Sequence, residues 1–170
     1  MNRSTSDAAI RRLMDKDAIA TTLARYCRGV DRCVEDLISD AYFPDGIDEH
    51  SYITLSGTEI GPFLVARMKA MYTSTLHCIV DSLIDIDGDV AHVETYMVGF
   101  LGRIDGDIEV ADHVAARYVD RFECRSDEWR IAHRTVLPEF AMTIPKTEQS
   151  QLNYVSDTPK RSRDDISFRR

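Results

Sequence analysis

The feature that most constrains the fold of this chain is a change of hydrophobic period at Tyr72. Before it apolar residues recur every three or four positions, and after it they alternate. Four segments, 76–86, 90–101, 108–123 and 129–143, are rich in β-branched and aromatic residues. They are separated by DGD at 87–89, DGD at 105–107 and RSDE at 125–128. Asp-Gly between alternating runs signals a hairpin, because glycine accepts the positive φ that a tight turn needs. An antiparallel meander of four long strands is expected over the second half of the chain.

The first half reads as helices. Between Asp7 and Val30 the residues Ile10, Leu13, Met14, Ile19, Leu23, Cys27 and Val30 share a helical stripe, in one helix or two short ones. A second helix is expected from about Val34 to Tyr42, with Leu37, Ile38 and Ala41 inward. The stretch FPDGIDEHSYITLSG is turn-rich at its start and alternates at its end, which suggests a short strand near His50 to Leu55. A third helix, Thr58 to Tyr72, carries Ile60, Phe63, Leu64, Met68 and Met71 on one face, with Pro62 near its start where proline is tolerated. Three helices followed by a meander make an α+β pattern in which the helices cover one face of a strongly bent antiparallel sheet. One domain is expected over 1–144. Residues 145–170 are poor in apolar side chains and read as a polar tail, extended or disordered unless a partner orders it.

Charge and motifs exclude several functions. With 21 Lys and Arg against 29 Asp and Glu, the formal net charge is −8, so nucleic acid is not the expected partner. No apolar run approaches the roughly 18 residues of a membrane span, and MNRSTSDAAIRRLMDKD lacks an apolar secretory core. The expectation is a cytoplasmic protein with no membrane partner. Cys27, Cys33, Cys78 and Cys124 form no CxxC pair, so free and mostly buried thiols are expected rather than a metal site. No glycine-rich phosphate loop, GxSxG, HExxH or GxGxxG occurs, which leaves nucleotide cofactors and serine nucleophiles unsupported.

What remains is a set of side chains suited to proton transfer. Leu23, Cys27 and Asp31 are spaced by four, so a helix places the Asp31 carboxylate on an apolar stripe near its C-terminal end. The helix dipole and desolvation both work against an anion there. Asp31 either caps the following helix or faces inward toward a partner. His77 opens the first long strand among Leu76, Cys78 and Ile79, either as a core histidine or as that partner. A carboxylate on an imidazole fixes its tautomer and raises its basicity. Arg134 follows Trp129 by five residues on the last strand and alternates with His133, so periodicity leaves open which of the two is inside. Tyr26 and Tyr118 are packing residues or proton donors. Leu83, Val93, Met97, Val114 and Ile131 are candidates for an apolar cavity wall.

The order RYCRGVD, FPDGIDEH, TLHCIVDSLIDIDGDVAHVETY and RYVDRFECRSDEWRIAHR resembles the SnoaL-like branch of the nuclear transport factor 2-like (NTF2-like) superfamily over residues 8–140. The resemblance implies a cone-shaped, cystatin-like α+β barrel around a deep apolar pocket, working without metal or organic cofactor. The dehydratase and dehydrochlorinase members implied most closely use an Asp-His pair, which falls on Asp31 and His77. Tyr26 matches a tyrosine five residues before the aspartate, and His50 stands where those dehydratases have a tyrosine. Arg134 falls at the end of the tryptophan-bearing strand, where the dehydrochlorinase has an arginine. The implied site therefore has Asp31, His77, Tyr26 and Arg134 as catalytic residues, with His50, Tyr118, Tyr96 and Met97 binding substrate. Pocket Ser and Asn of the scytalone enzyme are replaced by Ala116 and Tyr118. The implied activity is a lyase or isomerase acting on a small, apolar cyclic or polycyclic molecule, and the implied assembly is a homodimer or homotrimer. The same superfamily also implies an alternative, a non-catalytic subunit such as the small subunit of a ring-hydroxylating dioxygenase.

Overall fold

Three tight turns organise the chain after Tyr72. In the computed structural model, which describes residues 3–50, 52–147 and 158–169, β3 (Ser74–Asp87), β4 (Val90–Asp105), β5 (Ile108–Arg125) and β6 (Glu128–Pro145) form the expected antiparallel meander. Gly88 and Gly106 take φ of +59° and +60° in the two DGD turns, as the sequence requires. The third turn has no glycine, and Ser126 and Asp127 adopt the left-handed region instead.

The helices are α1 (Arg3–Arg32), α2 (Glu35–Ser39) and α3 (Ile60–Met71). The N-terminal stripe is one continuous helix, but only its second half reaches the core. Ile19, Leu23, Tyr26, Cys27 and Val30 are buried, whereas Ile10, Leu13 and Met14 lie exposed on the overhanging first turns. Cys33 ends α1 at φ +50°, with Cys33 N–H donating to Val30 O at 3.3 Å and Val34 N–H to Gly29 O at 2.9 Å. This pair of bonds is a Schellman closure, and it fixes Asp31 inside the last turn of α1.

Two expectations about the segment between α2 and α3 are corrected. The second helix stops at Ser39, and the turn-rich FPDG stretch is itself part of strand β1 (Tyr42–His50), which hairpins into β2 (Ile53–Ser56). Strand β1 runs parallel to β6, so the sheet, ordered β2-β1-β6-β5-β4-β3, is mixed rather than wholly antiparallel. Hairpin signals are local, and a pairing between β1 and a strand nearly ninety residues later leaves no such mark.

The sheet curls at β-bulges. Val80 is an extra residue in β3 opposite the Met97–Tyr96 step, and Ala132 and Glu139 are extra residues in β6. Each bulge bends its strand and shifts which parity of residues faces in. In β3 the inward set is Thr75, His77 and Ile79 before the bulge and Ile84 and Ile86 after it. Leu83, expected on the cavity wall, is consequently 70% exposed on the outer face. In β6 the inward set changes from Trp129 and Ile131 to Arg134 and Val136, which brings Arg134 rather than His133 inside.

The C-terminal expectation is also corrected where the structure describes it. Residues 158–169 are docked on the helices: Arg161 donates to the terminal carbonyls Met68 O and Tyr72 O at the end of α3, and Arg28 Nη2 donates to Ser167 O at 2.7 Å while stacking on Phe168. Asp165 is buried and accepts from Lys160 N–H and Ser167 N–H. Residues 148–157 lie outside the described residues. Among the described residues no helix is long and apolar enough to cross a membrane, and the four cysteines are free.

Candidate active site

The curled sheet and α3 enclose a cavity of about 260 Å³. Its walls include Val30, Leu64, Met68, Met97, Val114, Ala116 and Val136, and its polar groups come from Tyr26, His50, Tyr52, Arg67, Tyr72, His77 and Tyr118. This is near the lower end of small-molecule sites, which run about 300–1,000 Å³.

Asp31 and His77 meet at one side of this cavity. His77 Nδ1 is 2.6 Å from Asp31 Oδ1, and the His77 backbone N–H donates to Asp31 Oδ2 at 2.9 Å. Both side chains are largely buried. The two donors offset the dipole and desolvation costs of holding a carboxylate in the last turn of α1. Asp31 does not cap α2, whose N-cap is Val34 with no side-chain cap bond. A neutral imidazole that donates its Nδ1–H to the carboxylate carries its free lone pair on Nε2. Gly99 lies across the strand pair from His77, where a Cβ would come within 2.8 Å of Val114 Cγ2, so the absent side chain keeps that wall open.

Behind the cavity sits a buried polar layer. Arg134 is fully buried and grips Asp120 through Nε–Oδ1 and Nη2–Oδ2 bonds of 2.7 and 2.6 Å. Its guanidinium lies 4.5 Å from the Tyr26 ring centroid and 4.2 Å from that of Tyr118. Burial is the largest single effect and opposes the Arg134 charge, but Asp120, Tyr42 and Tyr26 together carry the balance the other way and hold the guanidinium protonated well above its usual range. Burial pushes the phenols of Tyr26 and Tyr118 upward, so both stay neutral and can only donate a proton or share one. Tyr42 Oη donates to buried Asp48 Oδ2 at 2.6 Å, and His50 Nδ1 stands 3.3 Å from Asp48 Oδ1 without hydrogen-bond alignment.

The structure gathers most of the residues singled out in the sequence. Tyr26, His50, His77, Met97 and Tyr118 line the cavity together. Arg134 does not: its fork is filled by Asp120, and it touches the faces of Tyr26 and Tyr118 rather than the cavity. Tyr96 is on the outer face and 51% exposed, since neighbours on a strand point oppositely and Met97 takes the inward position. Asp120, Asp48, Tyr42 and Arg67 were not singled out. Asp120 was legible in principle, because it shares parity with Tyr118 and Phe122 and pairs across the ladder with Arg134. Among the described residues no group of three or more His, Cys, Asp or Glu side chains is placed to hold a metal ion.

A mixed, curled sheet wrapped over three helices defines the NTF2-like, cystatin-like class of fold. The chain belongs to the SnoaL-like family within it, whose domain model matches residues 11–135. Among solved structures, the hexachlorocyclohexane dehydrochlorinase LinA-type3 from Novosphingobium barchaimii superposes with a TM-score of 0.71 at 17% identity, covering 88% of this chain and 99% of that one. A protein assigned as a scytalone dehydratase from Novosphingobium aromaticivorans gives 0.68 at 13% identity, covering 77% and 88%. One assigned as an aromatic ring hydroxylase from a Novosphingobium aromaticivorans strain gives 0.67 at 18% identity, covering 82% and 98%. No curated protein shows significant sequence similarity to the chain.

Proposed function

We propose that the chain is a cofactor-independent lyase or isomerase for a small, largely apolar cyclic substrate, with Asp31 and His77 as its general-base pair. The observation that carries the reading is the 2.6 Å contact between Asp31 Oδ1 and His77 Nδ1, with His77 on the wall of a partly open, largely apolar cavity. His77 Nε2 takes a proton from a substrate carbon. The C–H electron pair forms a double bond as a hydroxyl or other leaving group departs from the neighbouring carbon with its own pair. Tyr26, Tyr118 or His50 donates a hydrogen bond to the departing or carbonyl oxygen, and the imidazolium returns its proton to the leaving hydroxide or, in an isomerisation, to another carbon. Arg134 acts through the two tyrosines as a positioning residue.

The likeness in fold to a dehydrochlorinase and to an assigned dehydratase supports a lyase over other chemistries. The test is a screen of hydroxylated and halogenated cyclic compounds for elimination in the presence of chelator, repeated with Asp31→Asn and His77→Gln. A substrate whose turnover falls about 10²–10⁴-fold in both folded variants supports the pair as base; unchanged turnover sinks it.

The likeness to an assigned aromatic ring hydroxylase favours a second reading, an assembly subunit of a ring-hydroxylating oxygenase. Copurification with an iron-sulfur protein would decide for it. The outer face of the sheet, with exposed Leu83, Tyr96 and Val119, is proposed as the surface through which two or three copies of the chain associate in the cytoplasm.

A further inference from the structure

We propose that the substrate of this cavity is an apolar carboxylic acid whose carboxylate is held by Arg67. The inference rests on the cavity being the substrate site, and it names the chemical class that fits. Arg67 is on α3, half-buried, and lines the cavity with its guanidinium 5.2 Å from the Tyr52 ring centroid. It makes no ion pair among the described residues. An acid three or four residues away on the helix could pair with it, but those places around Arg67 hold Phe63, Leu64, Ala70 and Met71.

The rest of the lining sharpens the argument. Among the described residues no Asp or Glu borders the cavity, although the chain carries 29 of them. The two histidines on the wall already have carboxylates beside them, Asp31 for His77 and Asp48 for His50. Asp112, whose charge reaches Tyr72 as that of Arg67 does, is engaged by Arg103 Nε at 2.7 Å and Thr143 Oγ1 at 2.6 Å. Among the described residues Arg67 is therefore the one cation on the wall with no anion beside it, in a pocket otherwise lined by aliphatic side chains, aromatic rings and the two paired histidines. A guanidinium fork binds a carboxylate through two parallel hydrogen bonds, and the apolar remainder of the ligand would fill the space toward Met97, Val114 and Val136.

The test needs no turnover. Calorimetric binding of 1-naphthoate and its neutral isostere 1-naphthamide is compared in the full chain and in Arg67→Gln, His50→Gln and Asp31→Asn. The expected result is about a tenfold or larger preference for the acid in wild type, abolished in Arg67→Gln while amide binding remains, and kept in the other two variants. Equal affinities in wild type, a preference that survives Arg67→Gln or is lost in His50→Gln, or failure of both probes to bind would overturn the assignment. Loss of catalysis in Asp31→Asn with the acid preference intact separates this proposal from the general-base reading.

Discussion

The Arg134–Asp120 pair gives the prediction that can be worked furthest from the structure. Both side chains are fully shielded, they share two hydrogen bonds of 2.6 and 2.7 Å, and Arg134 Nη1 already has no hydrogen-bond partner. Asp120→Ala leaves a buried guanidinium without its counter-ion, at a cost of about 3–5 kcal/mol. Against a typical stability of about 5–15 kcal/mol, that is a large fraction of the whole. Replacing both partners, as Asp120→Leu with Arg134→Met, removes the charges together and is expected to fall within about 1 kcal/mol of the parent, because the desolvation cost disappears with the attraction. The assay is urea unfolding followed by the fluorescence of Trp129, the only tryptophan and a buried one. A coupling of about 3 kcal/mol or more across the mutant cycle is expected. A single-variant loss below about 1 kcal/mol, the behaviour of a solvent-screened pair, would refute the claim that Arg134 is a buried scaffold for the tyrosines.

Three further outcomes follow from named contacts. Gly99→Ala drives a Cβ to within 2.8 Å of Val114 Cγ2 beside His77, so it should cost about 1–3 kcal/mol and shrink the cavity, measured as a lower unfolding midpoint and weaker naphthoate binding. Asp165→Ala should free residues 158–169, seen as several-fold faster tryptic cleavage after Arg161 and Arg163 with little change in the Trp129 unfolding midpoint. Hydrogen bonds from Lys160 N–H and Ser167 hold the Asp165 carboxyl below its usual range, so its contribution to docking is present above the ordinary value of about 3.9 and lost as pH falls toward the lower docked value. The protection of amides 160–169, measured against the unstructured exchange rate at each pH, should accordingly fall on acidification below about pH 4, not on alkalinisation. Leu83→Glu on the outer face should shift sedimentation toward the monomer if copies associate there; an unchanged profile would remove that surface from the account.

How much of this was written in the sequence differs by residue. The meander was legible because its turns carry Asp-Gly and its strands alternate, both local properties. Asp31 and His77 were legible only through their order along the chain: taken alone, Asp31 reads better as a helix cap than as a base. The misplacements have physical causes. Leu83 lies beyond a bulge, and one extra residue reverses the parity on which strand patterning depends, whereas Arg134 faces inward but has its fork filled by Asp120 and so does not reach the cavity. Strand β1 was hidden because it pairs in parallel with β6 and begins in Phe43, Pro44 and Asp45, which read as a turn. The docking of 158–169 was hidden because polar bonds hold it, from Arg161, Asp165 and Arg28, and hydrophobic periodicity does not register them.

The central claim is that Asp31 fixes His77 as the tautomer with Nδ1 protonated and Nε2 free to act as the base. Long-range proton–nitrogen correlation of the His77 ring at neutral pH measures this directly, with Asp31→Asn as reference. The account predicts a protonated Nδ1 and an acceptor-type Nε2 in the wild-type chain, with that fixed tautomer lost in the variant. A wild-type ring protonated on Nε2, or one indifferent to the substitution, would contradict it.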